Sequence, residues 1–240
     1  MTLPEKIELQ KQYDAFKKLN LKLDLTRGKP SSEQLDFSNA LDGILEGNYY
    51  ASDGTDTRNY GGLRGIPEIR SIGASLLGVD PEQVIAGGNS SLQLMHFIID
   101  SIMHFGLGEN PFAEQKSVKA ICPVPGYDRH FILTQSFDIE MITVPMTDSG
   151  PDMDTIDQYI LQDPSCYFLW CVPKFSNPTG CTYSESIVKK IAELPAKSEK
   201  PFYVMWDNAY AVHDFKGPPI KLANIFEIAK DFRTEDKIIG

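Results

Sequence analysis

The sequence predicts an α/β fold in which a mostly parallel sheet lies between two layers of helices. Two patterns lead to this prediction: short apolar runs typical of buried strands, and stretches of helical periodicity that separate them. Strands are predicted at residues 118–122, 139–144, 167–172 and 202–206. Between the last two, a helix is predicted over 184–194, with an apolar face made of Ile187, Val188, Ile191 and Leu194. Strands that alternate with helices form βαβ units, which build parallel sheets covered on both faces.

Further helices and an N-terminal arm complete the predicted elements. A helix over 66–77 has Pro67 in its first turn, where the missing N–H has no intrahelical partner. A second helix, over 92–105, has apolar residues at helical spacing, namely Leu92, Met95, Ile99, Ile102 and Met103. Residues 1–20 are polar with a helical pattern, whereas 26–30 and 48–60 are rich in turn residues and indicate an irregular arm. A strand begins at Ile238, so we expect the sequence to be cut inside a domain.

Composition and charge narrow the class of protein. The 240 residues are 42% apolar and 23% charged, which excludes a collagen-like chain, a coiled coil and a disordered tail. The 23 Lys and Arg against 33 Asp and Glu give a net charge of −10, which argues against binding to nucleic acid. Residues 1–20 lack the apolar core of a signal peptide, and the apolar run at 92–107 is too short to span a bilayer. We therefore expect a cytoplasmic protein that does not bind membranes.

The positions of the four cysteines bear on metal binding and on redox state. Their positions, 122, 166, 171 and 181, contain no Cys-x-x-Cys pair, which argues against a zinc site. Cys122, Cys166 and Cys171 lie in apolar runs and are predicted to be reduced thiols in the core. We therefore expect no metal site.

Polar segments follow three of the predicted strands and precede one predicted helix. Residues 123–129 follow the first strand, 173–180 the third and 207–210 the fourth, while 87–91 come just before the helix at 92–105. Ligands of open α/β sheets bind beyond the carboxyl ends of the strands. These segments are therefore expected to lie along one edge of the sheet and to form a binding site there.

Each segment also has a purely structural interpretation. Residues 87–91 can be a turn in which Ser90 caps the next helix, or an anion site formed by backbone N–H groups at the helix N-terminus. Residues 177–180 can be a plain β-turn, Asp207 a helix cap and Tyr210 a core aromatic residue. Neither 87–91 nor 61–65 has the spacing of a P-loop or of a dinucleotide-binding fingerprint, which argues against a nucleotide-binding domain.

Several motifs occur in order along the chain. The turn at 87–91 is followed by Asn-Pro-Thr-Gly at 177–180, and then by a strand that ends in Asp207-x-x-Tyr210. This set resembles the aminotransferases among the fold-type I pyridoxal-phosphate enzymes. Residues 60–70 are similar to the family's Tyr-x-x-x-x-Gly segment with its following Arg, and 26–30 to its N-terminal Gly-x-Pro arm. The Pro-Gly-Tyr-Asp-Arg loop at 125–129 is most similar to the aspartate-aminotransferase-like subgroup.

The resemblance implies pyridoxal 5′-phosphate (PLP) as cofactor and assigns residues to it. Asp207 would keep the pyridine nitrogen protonated, and Asn177 and Tyr210 would hydrogen-bond the ring oxygen; Asp207 and Tyr210 are the expected catalytic residues. The other assigned residues are Gly88, Asn89 and Ser90 at the phosphate, Tyr127 stacked on the ring, Tyr60 at the phosphate of a neighbouring subunit, and Gly28 at the substrate. The expected protein is a homodimer that takes an amino acid and a 2-oxo acid as substrates.

The resemblance also implies a domain organisation and a lysine that forms an imine with the cofactor. Residues 1–60 would form the N-terminal arm and part of the small domain, and 61–240 an incomplete PLP-binding large domain, with the C-terminal small domain absent. The family's Ser-x-Ser-Lys-like segment would follow Gly240, so we expect the chain alone to be inactive. Lys237 precedes its strand, at the wrong end of the sheet, and Lys174 is expected to be a surface or gate residue.

The expected reaction transfers an amino group from aspartate or a related amino acid to a 2-oxo acid. Ring-binding residues do not distinguish it from a C–S lyase, a decarboxylase or a synthase with the same cofactor, because reaction choice depends on groups around the substrate Cα. A non-catalytic, aminotransferase-like sensor domain is a further alternative. Arg27 and Arg129 either guide a dicarboxylate substrate or form solvated ion pairs.

Overall fold

The computed structural model describes residues 3–23, 28–108, 110–215 and 217–240. The α-helices in chain order are α1 Leu3–Lys18, α2 Ser32–Leu35, α3 Pro67–Leu77, α4 Ser91–Phe105, α5 Asp128–Ser136, α6 Met153–Gln162, α7 Glu185–Lys197 and α8 Ile225–Lys230. Short 3₁₀ turns occupy Asp36–Leu41, Pro81–Gln83, Gly106–Gly108, Phe112–Glu114 and Glu235–Lys237. The strands are β1 Lys119–Val124, β2 Glu140–Thr147, β3 Gly150–Pro151, β4 Cys166–Cys171, β5 Tyr203–Trp206 and β6 Ile238–Ile239.

The strands form one sheet in the order β3-β2-β1-β4-β5-β6. Neighbouring strands are parallel except β2 and β3, which pair antiparallel at one edge. Strands β1, β4 and β5 are therefore adjacent, and their carboxyl ends lie along the same edge of the sheet. This arrangement confirms the predicted α/β class with a mostly parallel sheet.

Successive residues of the inner strands point to opposite faces of the sheet, and each face is covered by helices. Ile121, Leu169 and Val204 belong to a buried cluster that contains residues of α6, α7 and α8. Their chain neighbours Ala120 and Phe168 belong to a second cluster with residues of α4 and α5. Burial of each large apolar side chain stabilises the fold by about 1.5–3 kcal/mol. The predicted three-layer αβα architecture is confirmed.

The predicted helices and strands of this region are present, with ends that differ by a few residues. Helices α5, α6 and α8 lie outside the elements that the periodicity predicts. Three cysteines are buried and unpaired as expected, and burial raises the pKa of the Cys122 and Cys166 thiols to about 12. Within the described residues no helix is both long enough and apolar enough to cross a bilayer.

The chain divides into two compact units, Met1–Tyr49 and Tyr50–Gly240. The first unit contains α1 and α2, and its described side chains from residue 4 to 48 are all exposed. Helix α2 begins with a capping box, in which Ser31 and Gln34 each bond the backbone N–H of the other. The second unit contains the sheet. A domain boundary at residue 60 stays a prediction.

Candidate active site

The segments that follow β1, β4 and β5 share one edge of the sheet because these three strands are parallel neighbours. The chain leaves β1 toward α5 on one face of the sheet, and leaves β4 toward α7 on the other face. Two adjacent strands whose connections diverge in this way leave a crevice between their loops, where ligands of α/β proteins bind. The predicted segments that follow β1, β4 and β5 therefore lie at the edge of the sheet where α/β folds bind ligands.

Asp207 directly follows β5 and is the most firmly held of the predicted site residues. Its backbone N–H donates to the Cys171 carbonyl oxygen at 2.9 Å, which extends the pairing of β4 with β5. Its side chain is only 9% exposed, with Oδ2 3.0 Å from the Nε2 atom of His130. The other carboxylate oxygen, Oδ1, accepts the Ala209 N–H at 3.2 Å, so Asp207 closes a turn rather than capping a helix. Both oxygens are thus oriented by neighbouring groups.

His130 lies in the first turn of α5 and is buried. Its ring stacks on Trp170 of β4, with centroids 4.3 Å apart and planes 11° from parallel. The Thr134 hydroxyl accepts a hydrogen bond from Trp170 Nε1 at 2.8 Å and donates to the His130 carbonyl oxygen at 2.7 Å. Tertiary contacts thus fix the ring, and its Nε2 atom meets Asp207.

His130 is the functional candidate that sequence reasoning missed. A signal for it was present: His130 is spaced three and four residues before Leu133 and Thr134, so all three share the buried face of α5. Two of those three residues are polar, and this hides the apolar periodicity that marks a buried helix face.

Tyr127 precedes α5 and contacts His130 edge-on, with ring centroids 5.1 Å apart. The preceding Gly126 is tightly enclosed, because a Cβ atom there would clash with the Pro123 carbonyl oxygen and come within 2.8 Å of the Phe131 ring. Only glycine fits this close approach, so the turn places Tyr127 beside the carboxyl end of β1.

Asn177 lies in the loop that follows β4 and is half-buried. The loop is closed by two backbone hydrogen bonds, from Ser176 N–H to the Cys181 carbonyl oxygen and from Tyr183 N–H to the Pro173 carbonyl oxygen, both 2.8 Å. The Gly180 N–H donates to the Ser176 carbonyl oxygen at 2.5 Å, so 176–180 form a five-residue turn, one residue longer than the β-turn considered for 177–180. Asn177 is therefore presented from a defined loop.

Lys174, in the same loop, differs from expectation. It was predicted to be a surface or gate residue, but it is buried and its Nζ atom lies 2.6 Å from Asp214. The reason is the ion pair, since lysine is found in protein interiors when an acidic partner compensates its charge.

Tyr210 follows Asp207 by one turn and is half-buried. Its ring contacts His213 edge-on at 5.5 Å, and its carbonyl oxygen accepts the His213 N–H at 3.1 Å. Tyr210 is therefore positioned by the turns at 208–213 and is not packed in the core.

The segment that is predicted to bind an anion lies just before α4. Gly88 has φ +56°, a left-handed conformation that favours glycine, and Ser90 caps the helix by accepting the Gln93 N–H at 3.4 Å. The first helical residue, Ser91, lines a cavity of about 440 Å³ that Asp207 also lines. Gly88, Asn89 and Ser90 are exposed. Asp207 and the first residue of α4 thus line one cavity, whereas Gly88, Asn89 and Ser90 are not among its lining residues.

No contact in the described structure connects three further predicted residues with this group. The Tyr60 side chain is fully exposed and Arg129 is exposed as well. Gly28 belongs to the first unit and has open space where a Cβ would stand. Thr26 and Arg27, which the sequence assigned to the arm and to substrate guidance, lie outside the described residues.

Comparison with known proteins identifies the family. A family model described as aspartate amino-transferase matches residues 3–239. The chain belongs to the aspartate aminotransferase family. The aspartate aminotransferase of Corynebacterium glutamicum is 51% identical over 209 residues, which are 86% of this chain and 48% of that protein. This chain spans about half the length of the curated relatives that it matches.

Solved structures of aminotransferases agree with this family assignment. The crystal structure of an aspartate transaminase from C. glutamicum superposes with a TM-score of 0.88 at 45% identity, covering 99% of this chain and 57% of that one. The α-aminoadipate aminotransferase of Thermus thermophilus, solved with N-(5′-phosphopyridoxyl)-L-leucine, shares the fold at a TM-score of 0.63 and 21% identity, covering 85% of this chain and 48% of that one. The expected resemblance to fold-type I aminotransferases is confirmed.

The donor set at this edge of the sheet fits PLP, the cofactor implied by the aminotransferase family. A buried carboxylate, fixed by His130, suits a protonated pyridine nitrogen. A helix N-terminus with a left-handed glycine suits a phosphate. Asp207 and Ser91, the first residue of α4, line the same cavity. The roles of the individual residues stay predictions.

Proposed function

We propose that the protein containing this chain is an aminotransferase that uses PLP to move an amino group from aspartate, or a related amino acid, to a 2-oxo acid. The observation that carries the proposal is the buried carboxylate of Asp207, held by His130 and bordering a cavity that the N-terminus of α4 also borders. The choice of aspartate is supported by the name of the C. glutamicum relative. Because this chain spans about half of that relative, the activity is proposed for the whole protein.

Bound PLP would supply an electron sink for the charge that develops on the substrate Cα. Asp207 would hold a proton on the pyridine nitrogen, and His130 would keep the carboxylate oriented. The Asn177 amide and the Tyr210 hydroxyl would both donate hydrogen bonds to the ring oxygen. The phosphate would be held at the N-terminus of α4, where the helix dipole favours negative charge, by the backbone N–H groups of Gly88, Asn89 and Ser90.

Tyr127 is proposed to cover the ring face, because it stands beside His130 at the end of β1. Tyr60 is proposed to reach the phosphate of a second copy of the protein in a homodimer. The side chains of Tyr60 and Leu63 are fully exposed, which supports a partner that covers them. Sedimentation equilibrium of the whole protein should give twice the monomer mass. A monomer at micromolar concentration would contradict this part of the proposal.

Gly28 is proposed to contact the substrate.

The lysine that links the cofactor is proposed to be neither Lys174 nor Lys237. The Lys174 ammonium is engaged by Asp214. The Lys237 ammonium lies 5.1 Å from the ring centroid of Tyr203, the first residue of β5, whereas Asp207 follows the last residue of that strand. The 240-residue chain is therefore proposed to bind the cofactor without turning over substrate.

Binding of pyridoxamine 5′-phosphate (PMP) tests the site in this chain, because PMP needs no covalent link. Titration followed by the fluorescence of Trp170 and Trp206 should show saturable binding. Asp207→Ala should weaken binding about tenfold to a hundredfold, the equivalent of one hydrogen bond to a charged group. The control is Asp100→Ala, at a residue of α4 with a 43% exposed side chain. The proposal fails if the native chain does not bind PMP, or if both variants bind it equally.

Turnover tests the reaction in the whole protein. With ¹⁵N-aspartate and a 2-oxo acid, the label should appear in the amino acid formed from the 2-oxo acid. Asp207→Ala should abolish this transfer while leaving the circular dichroism spectrum unchanged. Release of carbon dioxide or sulfide without label transfer would assign a different reaction of the same cofactor class. Binding with no turnover of any kind would favour a sensor domain.

A further inference from the structure

A buried ion pair joins the loop after β4 to the loop after β5. Lys174 Nζ donates to Asp214 Oδ2 at 2.6 Å and to the Ala211 carbonyl oxygen at 3.0 Å. The two side chains are only 5% and 14% exposed. The second oxygen of Asp214 accepts the Ile220 N–H at 2.9 Å. The hydrogen bond from Lys174 lowers the pKa of the Asp214 carboxyl, so Asp214 is ionised at neutral pH.

Each end of this ion pair is rigidly connected to a residue proposed to bind the ring oxygen. In the first loop, backbone hydrogen bonds close 173–183, so Lys174 and Asn177 belong to one closed loop. In the second, Ala211 N–H donates to the Asn208 carbonyl oxygen and His213 N–H to the Tyr210 carbonyl oxygen, both at 3.1 Å. Ala211, whose carbonyl oxygen binds Lys174, is the next residue after Tyr210. Lys174 therefore links the loop that carries Asn177 to the loop that carries Tyr210.

We propose that Lys174 is a positioning residue that sets the distance between the Asn177 amide and the Tyr210 hydroxyl. The inference rests on the proposed function, in which these two groups donate to one oxygen atom. Two donors converge on a single acceptor only if their loops are held to within about 0.5 Å. An ion pair whose partners are both desolvated supplies that constraint, because any separation leaves a buried charge without its partner.

The competing interpretation is that Lys174 only stabilises the fold. The chain offers a matched control: Lys119, at the start of β1, pairs with Asp163 at 2.9 Å and also joins two separate elements. It lies at the opposite end of the strands from Asp207. Loss of either lysine should lower stability, whereas only loss of Lys174 should alter the site.

The test measures PMP binding and stability of the whole protein that contains this chain, in the variants Lys174→Met, Lys174→Arg and Lys119→Met. Lys174→Met should weaken PMP binding about tenfold, the equivalent of one misplaced hydrogen bond, and should shift the pH at which the absorption of bound PMP changes. Lys174→Arg should restore binding, since it keeps the charge and the donors. Lys119→Met should leave the affinity for PMP unchanged. Asp214→Asn, which keeps a hydrogen-bond acceptor, replaces Lys174→Met if the latter does not fold.

The outcomes separate the two proposals. If the native whole protein binds PMP and its Lys174→Met variant binds it equally, with the same pH dependence, the positioning role is wrong and the proposed function stands. If the native whole protein does not bind PMP, the proposed function fails. In that case amide hydrogen exchange tests whether Lys174 holds the two loops together. Lys174→Met should speed exchange in both 173–183 and 207–215, and unchanged exchange in either segment would overturn the inference.

Discussion

The contact between His130 and Asp207 should contribute strongly to the stability of the fold. His130→Phe keeps an aromatic ring to stack on Trp170 but removes the Nε2 atom that lies 3.0 Å from the carboxylate. Hydrogen bonds to charged groups contribute about 1.5–3 kcal/mol, and an oxygen that is left buried without its partner costs a similar amount. Because Asp207 is only 9% exposed, water replaces the lost partner poorly. We therefore expect His130→Phe to lower the free energy of unfolding by about 2–3 kcal/mol.

A second histidine–aspartate pair provides the control. His104 and Asp100 lie 3.6 Å apart on α4 with side chains 59% and 43% exposed. His104→Phe should change the free energy of unfolding by at most about 0.5 kcal/mol. Urea denaturation at pH 7, followed by tryptophan fluorescence, measures both variants, because Trp170 and Trp206 are buried in the folded chain.

A double-mutant cycle isolates the contact. In an Asp207→Asn background, His130→Phe should cost less than in the native chain, with a coupling energy of about 1–2 kcal/mol. The reasoning is refuted if His130→Phe is no more destabilising than His104→Phe. It is also refuted if the costs of the two substitutions at the site simply add.

Three further predictions concern other parts of the molecule. A thiol reagent at pH 8 should modify the partly exposed Cys181 well before the other three cysteines, because burial raises the pKa of all four thiols but encloses only those three; two or more fast thiols would contradict the packing of the sheet. The hydroxyl of Ser165 and the ammonium of Lys119 lower the pKa of Asp163 to about 2. The contribution of the Asp163 carboxylate to the free energy of unfolding is therefore present above pH 4 and is lost as the pH falls toward 2. Asp163→Asn should therefore destabilise the chain by about 1 kcal/mol at pH 7, after allowance for solvent screening, and the difference should shrink in acid denaturation below pH 4. Gly150→Ala should lower the free energy of unfolding by about 1–3 kcal/mol, because a Cβ at φ +134° would lie 2.8 Å from Ile187; calorimetry that gives an unchanged melting temperature would argue against this packing.

Local sequence patterns were sufficient to predict most of the sheet and several of its helices. Strand β4 is buried along its whole length, so its sequence is an uninterrupted apolar run. Helix α7 buries residues at helical spacing, including Val188, Ile191 and Leu194, and this spacing is visible without any structure. Helix α6 has a similar pattern, with Asp152 as N-cap and Ile156 and Ile160 on its buried face.

The contacts that organise the candidate site could not be predicted in this way. His130 and Asp207 are 77 residues apart in sequence, and Lys174 and Asp214 are 40 apart. Periodicity reports which face of an element is buried, but not which polar residue on a distant element will compensate a buried charge. Lysine in a loop next to polar residues indicates solvent exposure, and only its partner explains why Lys174 is buried. The fold could thus be predicted from local patterns, whereas the pairing of its buried polar groups required the structure.

The strand order has a consequence for the synthesis of the protein. The ribosome releases β1 and α5 before β4 and β5, so His130 emerges before Trp170 and long before Asp207. Parallel strands pair only after the intervening helix has been made, and such distant contacts form slowly because a long loop must close first. In the nascent chain, the face of α5 that is buried in the finished fold therefore stays exposed to water until β4 and β5 have been synthesised. The crevice with the proposed chemistry is assembled late, from three strands that leave the ribosome one at a time.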